Sequence, residues 1–138
     1  MKLETFDFKA LFKGYEFPFS LEKGENGWYS LGFPFLYTDH DGIELFVKKR
    51  EDGYFLISDD KWTLGVHSCF DKRYIEVVKR MIKTADYVRY NENTNEISAE
   101  VTEDTFAVAL LEVVSIVIAV NYAITALRGL HVIKDDNE

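Results

Sequence analysis

The stretch WYSLGFPFLYTDHDGIELFVKKREDGYFLIS, residues 28–58, decides the fold. Tyr29, Leu31, Phe33 and Phe35 share one parity, so in an extended chain they share one face. Pro34 cannot donate to a ladder, which predicts an edge position or the end of the strand. Asp41-Gly42 is a hairpin turn signal. Ile43, Leu45 and Val47 then alternate with Glu44 and Lys48, which is a half-buried strand. Glu51-Asp52-Gly53 turns the chain again, and Tyr54 to Ser58 is a third run. Residues 28–58 therefore read as an antiparallel meander.

Upstream, Phe8, Leu11 and Phe12 fall on one helical face and predict a short helix over 4–13. Tyr15, Phe17, Phe19 and Leu21 have strand spacing, and residues 22–27 form a turn cluster. Downstream, Asp71 is suited to cap a helix over 72–84 whose apolar stripe is Tyr74, Ile75, Val78, Met81 and Ile82. Val88 to Tyr90 and Ile97 to Val101 are short β runs around the polar turn Asn91 to Asn95. Thr102 is placed to cap a last helix, with Glu103 and Asp104 at the positive end of its dipole. That helix is expected to run to Leu127 and stop at Gly129, with a frayed tail over 133–138. The reading is one α+β domain over residues 1–138. An antiparallel meander sheet packs against a long apolar C-terminal helix and a shorter amphipathic one.

The residues Pro34-Phe35, Thr38-Asp39-His40-Asp41-Gly42-Ile43, Gly53 to Asp60 and Thr63-Leu64 resemble a bacterial and phage family, domain of unknown function 1828. Its members look like PF-x-D-x-x-x-D-x-I-x-I-x-V, a Gly turn, Y-x-L-T/S-D-D-G-x-T-L, a helix, a hairpin and a long closing helix. The order of elements matches over roughly residues 28–127. Lys61-Trp62 departs from the pattern, because a Gly usually follows the second Asp, and a different turn is expected there. The resemblance implies a fold and a mobile-element context, and it supplies no catalytic residues.

Composition narrows the function classes. The net charge is −8, from 24 acidic and 16 basic residues, which argues against broad nucleic-acid binding and against an anionic membrane surface. Cys69 is the only cysteine, so neither a disulfide within the chain nor a Cys-rich zinc site is available. Lys2, Glu4 and Asp7 break any secretory apolar stretch at the N-terminus, and the expected compartment is the cytoplasm.

Four constellations carry candidate chemistry. Asp39, Asp41, Asp59 and Asp60 sit at strand ends; converging, they would hold Mg²⁺ through oxygen ligands, with Lys48 or Lys61 as the cation of a small hydrolase or nuclease. Asp-rich strand ends are also ordinary turn chemistry. His67-Ser68-Cys69 sets a base beside nucleophiles, but nothing supplies an orienting third group. Lys72, Arg73, Lys79, Arg80 and Lys83 make the helix at 72–83 basic, which reads first as a solvated face. The helix over 103–127 is long enough to cross a bilayer, yet Glu112 would lie inside the hydrocarbon at high cost. It reads instead as a core helix whose remaining apolar surface is covered by a second subunit.

The favoured expectation is a non-enzymatic, acidic protein-binding module, without cofactor or metal, that blocks a host nucleic-acid-binding factor. Its contact residues are expected to be Asp39, Asp41, Glu44, Glu51, Asp52, Asp59 and Asp60 at the hairpin ends. They would face a basic surface on the partner. The alternatives are the Mg²⁺-dependent hydrolase and a purely structural oligomerisation module.

Overall fold

The computed structural model describes residues 20–36, 42–65 and 72–136. Its strands are β1 (Ser20–Lys23), β2 (Trp28–Leu36), β3 (Gly42–Lys49), β4 (Phe55–Ser58), β5 (Val88–Asn91) and β6 (Glu96–Val101). Its helices are a single turn α1 (Trp62–Gly65), α2 (Lys72–Ile82) and α3 (Phe106–Asp136). The expected helix at 4–13, the Tyr15 to Phe19 part of the first strand, the Asp39-His40-Asp41 turn, His67-Ser68-Cys69 and the Asp71 cap lie outside the described residues.

All six strands join one antiparallel sheet in the order β1-β2-β3-β4-β6-β5. β2, β3 and β4 are the expected meander, and β1 adds one strand at its edge. The chain then leaves through α1 and α2, forms β5 at the far edge and returns as β6, which inserts between β4 and β5. Strand alternation sorts the side chains. Tyr29, Leu31, Phe33, Ile43, Leu45, Val47, Phe55, Ile57, Val88, Ile97, Ala99 and Val101 are all buried in one core. The helices pack on this face, with α3 lying against α2, β6, β4 and β5. Tyr29, Leu31 and Phe33 of β2 share one core with the buried residues of α3. The backbone of α3 folds back across β6 and its two neighbours after a short turn. Phe55 and Phe106 join strand to helix edge-to-face, with ring centroids 5.2 Å apart.

Pro34 finds its place at a break in the ladder. Pairing runs in step to Gly32↔Glu44 and resumes, shifted, at Leu36↔Gly42. The described part of β1 reaches only as far as Gly32, so Pro34 sits in a bulge past the paired part of an interior strand. The turns use left-handed residues as their sequences require. Asn26 and Gly27 (φ 57° and 81°) close β1 to β2, Gly53 (φ 91°) closes β3 to β4, and Asn95 (φ 63°) closes β5 to β6.

The helices depart from the sequence reading at their ends. Thr102 makes no side-chain cap; a 3-10 turn over Glu103–Thr105 leads into α3, which begins at Phe106. Gly129 does not stop α3, which runs on to Asp136, so the stretch expected to fray from 133 is helical to that point. One glycine inside a helix costs only about 1 kcal/mol relative to alanine, too little to end a helix of otherwise good formers.

The apolar character of α3 is mostly spent within the chain. Phe106, Ala109, Leu110, Val113, Val117, Val120 and Ile124 are fully buried. Val117 therefore belongs to the core. Its outward stripe is Val108 (53% exposed), Ser115 and Tyr122 (62% exposed), at seven-residue spacing. Glu112, the residue least at home in an apolar helix, accepts backbone N–H bonds from Asp86 (3.2 Å), Tyr87 (2.7 Å) and Val88 (3.0 Å). It thereby ties the α2–β5 connection to α3.

Asp59 is the buried acid of the sheet. Its Oδ1 accepts the N–H groups of Lys61 (2.9 Å) and Ile97 (2.9 Å), and its Oδ2 accepts that of Thr63 (3.3 Å). Its own N–H donates to the carbonyl of Ile97 at 3.0 Å. One side chain thus ties the end of β4 to the start of β6 and starts α1. Asp59→Asn places an amide NH₂ against a backbone N–H and is expected to lower stability by about 1–3 kcal/mol, with Asp59→Ala costing at least as much. Urea unfolding followed by circular dichroism measures both, and a loss below about 0.5 kcal/mol would remove the clamp from the account.

The next two residues, Asp60 and Lys61, are both left-handed, at φ 49° and 70°. Lys61 stands where the resemblance expects Gly, and the turn keeps a glycine-like conformation with a lysine in it. Lys61→Gly is accordingly expected to hold or raise stability, by up to about 1 kcal/mol, whereas a β-branched residue there should lower it. Thermal melts of Lys61→Gly and Lys61→Val test the sign; a destabilised Gly variant would contradict the strain.

Candidate functional site

Because the helices cover one face of the sheet, the other parity is left to build a site. The register sets Ser30 beside Phe46, Phe46 beside Ser58 and Ser58 beside Ser98, with Trp28, Lys48, Leu56 and Glu100 forming the neighbouring row. Trp28, Phe46 and Leu56 on this face are half-buried rather than buried. A cavity of 480 Å³ opens here. Trp28, Ser30, Phe46 and Ser58 line it from the sheet, Gly24 and Glu25 from the β1–β2 turn, and Asp60 and Glu96 from the ends of β4 and β6. Its volume is in the range of small-ligand and side-chain pockets, roughly 300–1,000 Å³.

Ser58 organises the acidic side of this cavity. It is 4% exposed. Its hydroxyl donates to Glu96 Oε2 at 2.7 Å and accepts the N–H of Asp60 at 3.0 Å. One buried hydroxyl thus holds the Glu96 carboxylate and the backbone of Asp60, which are far apart in sequence. Glu96 keeps a second carboxylate oxygen, and Asp60 is exposed. Among the described residues, no Lys or Arg pairs with Glu25, Asp60 or Glu96. At the aromatic side, Lys48 Nζ lies 5.8 Å from the centre of the Trp28 ring, so that ring already attracts a cation.

Among the described residues, the acids singled out from the sequence lie in different settings. Asp59 is a correction: it is buried, with both oxygens taken by backbone donors, so it offers nothing to a partner or a metal. Burial pushes its carboxyl above the usual carboxylate range, against the pull of the Ile97 N–H, the Thr63 hydroxyl and the N–H groups of Lys61 and Thr63. Asp60 lines the cavity. Glu44 is exposed on the same sheet face, one position beyond Phe46 in that parity.

Glu51 and Asp52 lie at the opposite end of β4, in the β3–β4 turn. There Arg50 forks onto Asp52 (2.7 Å and 3.2 Å) and also reaches Glu100 at 2.6 Å. The guanidinium bond holds the exposed Asp52 carboxyl below its ordinary value, so this acid is already neutralised within the chain. Asp39 and Asp41 lie outside the described residues, as do His67, Ser68 and Cys69. Among the described residues, no group of three or more His, Cys, Asp or Glu is placed to hold a metal ion.

The basic helix is exposed at Lys72, Arg73, Lys79, Arg80 and Lys83. Lys79 is paired with Glu92 of the β5–β6 turn and lies 3.9 Å from Glu76. Sequence reasoning missed Glu25, Trp28 and Ser58. The parity opposite to Tyr29 was the available signal for Trp28. Glu96 stood out only as one of several acids after residue 91, and its place beside Asp60 depends on β6 lying next to β4.

Comparison with known proteins gives one family. The domain of unknown function DUF1828 matches residues 33–120, from the end of β2 into α3. No curated protein and no solved structure matches. Strands β3 to β6, the Asp59-Asp60 turn and the first half of the closing helix fall inside the matched span, and the chain belongs to the DUF1828 family.

Proposed function

We propose that this domain is a non-enzymatic protein-binding module whose open sheet face engages a basic surface on a protein partner. The observation that carries the reading is the cavity itself. Glu25, Asp60 and Glu96 line an aromatic floor without a cationic partner among the described residues, while Asp52 and Glu100 at the other end of the sheet are paired with Arg50. Acids kept unpaired beside a pocket differ from acids that serve only solubility. The mobile-element setting implied by the resemblance suggests the kind of partner: a host factor that itself binds nucleic acid through Lys and Arg. The reading includes a cytoplasmic setting and no direct contact with nucleic acid or membrane. The helical stretch Glu103–Leu127 is long and apolar enough to cross a bilayer, but half of its most apolar 18-residue window is buried within the chain.

The association should be fast and salt-sensitive, since rim charges act mainly on the on-rate. With a partner recovered from host lysate, Asp60→Lys combined with Glu96→Lys should slow association roughly tenfold or more, and Lys79→Glu should leave it unchanged. Surface plasmon resonance at two salt concentrations decides. Salt-independent binding, or damage from the Lys79 change alone, would defeat the proposal.

Self-association through α3 is proposed on narrower ground, the exposed stripe of Val108 and Tyr122. Sedimentation at micromolar concentration should show a dimer that Tyr122→Lys dissociates. A lone 16.0 kDa species would end this idea while leaving the acidic face untouched.

A further inference from the structure

The cavity on the open sheet face has a more specific chemistry than a general attraction for positive charge. Its floor is aromatic, with Trp28 and Phe46 on neighbouring strands. Its acidic side is anchored at two points. Glu96 is held through Oε2 by the buried hydroxyl of Ser58, and the backbone of Asp60 is held by the same oxygen. Asp60 is further constrained by its left-handed backbone, at φ 49°. A mobile acid attracts any cation. Acids with fixed positions beside a flat aromatic surface discriminate by shape.

Two cationic side chains exist to be discriminated. An ammonium is a compact, strongly hydrated point charge, indifferent to the plane of its surroundings. A guanidinium is planar and weakly hydrated; it stacks on aromatic rings and donates along a rigid fork to carboxylate oxygens. The chain's own Lys48 ammonium stays 5.8 Å from the Trp28 centroid, at the margin of contact, and makes no ion pair with Glu96 or Asp60. The volume of 480 Å³ leaves room for a long side chain together with part of the backbone that carries it.

We propose that this cavity is a receptor for an arginine side chain presented by a partner protein. The guanidinium stacks on the Trp28–Phe46 floor and donates to Glu96 and Asp60, while Ser58 acts as the positioning residue that holds the two acids. The inference rests on the acidic-face reading above and names the group which that face recognises.

Three capped tripeptides, acetyl-Gly-Xaa-Gly-amide with Xaa as arginine, lysine or citrulline, test it against the intact chain. Citrulline keeps the shape of arginine without its charge. The readout is the ¹H–¹⁵N spectrum, in which the two tryptophans give two indole signals, assigned by Trp28→Phe. The arginine peptide should shift the Trp28 indole saturably, and the lysine and citrulline peptides should bind at least about tenfold more weakly. Glu96→Gln and Ser58→Ala should each weaken the arginine peptide roughly tenfold or more while leaving the remaining amide spectrum folded. Lys48→Ala should bind it at least as tightly, because a competing cation is gone.

Equal binding of lysine and arginine peptides, salt-sensitive in both cases, would overturn the arginine receptor and leave the acidic face standing. Unchanged affinity in Glu96→Gln would overturn it as well, and so would loss of binding in Lys48→Ala. If neither basic peptide moved any signal of the sheet face at low salt, both the receptor and the acidic-face reading would fall.

Discussion

The architecture turns on a carboxylate that no solvent reaches. β6 enters the sheet between β4 and β5, although two helical segments and β5 separate it from β4 in the chain. Such an insertion closes a long loop, and the contacts that hold it must offset that entropy. Ladder bonds alone would fix β6 beside β4 but would not fix where it starts. Asp59 does so by accepting the N–H of Ile97 while its own N–H bonds to the Ile97 carbonyl. The same side chain starts α1 through Lys61 and Thr63, so the exit from the meander and the return of the last strand share one anchor. A buried carboxylate is costly unless its oxygens are saturated with donors. Three backbone N–H groups meet that condition here.

Glu112 solves the same problem on the other side of the core. An acid in the middle of an apolar helix invites the thought of a misplaced charge. In the structure it collects the N–H groups of Asp86, Tyr87 and Val88, donors at the point where the chain enters β5. Those donors would otherwise need water at the edge of the core. The two carboxylates together position both late strands. Glu112 was visible in the sequence as an acid in an unexpected setting, inside an apolar helix, whereas Asp59 at a strand end read as ordinary turn chemistry.

What the sequence disclosed was governed by range. Alternation at Tyr29, Leu31 and Phe33, the turn chemistry at Gly53 and the 3.6 spacing of Tyr74 and Val78 are local, and the β strands and α2 follow them. The site needed long-range facts. Glu96 and Asp60 meet only because β6 lies beside β4, and nothing in either segment announces that pairing. Asp59 and Asp60 read alike as turn acids, yet one is wholly buried and the other exposed. Helix ends misled for another reason: Gly129 and Thr102 are statistical markers of termini. The free energy of one glycine or one cap is small beside the burial of a face as apolar as that of α3.

The Ser58-Asp59-Asp60-Lys61 segment shows how core and site depend on each other. Along a regular strand, alternation would send Ser58 and Asp60 to one face and Asp59 to the other. Asp59 does point into the core, and Ser58 and Asp60 do line the cavity. The chain then turns back at once, with two consecutive left-handed residues, so that the N–H groups of Lys61 and Thr63 can reach the Asp59 carboxylate. That arrangement is unfavourable for L-residues and persists only where surrounding bonds over-determine it. Those bonds are the buried clamp beneath and the Ser58 hydroxyl above. The anchor that places β6 therefore also fixes the acidic side of the cavity. A looser turn, even at equal overall stability, would leave Asp60 and Glu96 free to move apart and would turn a shaped site into an ordinary acidic surface.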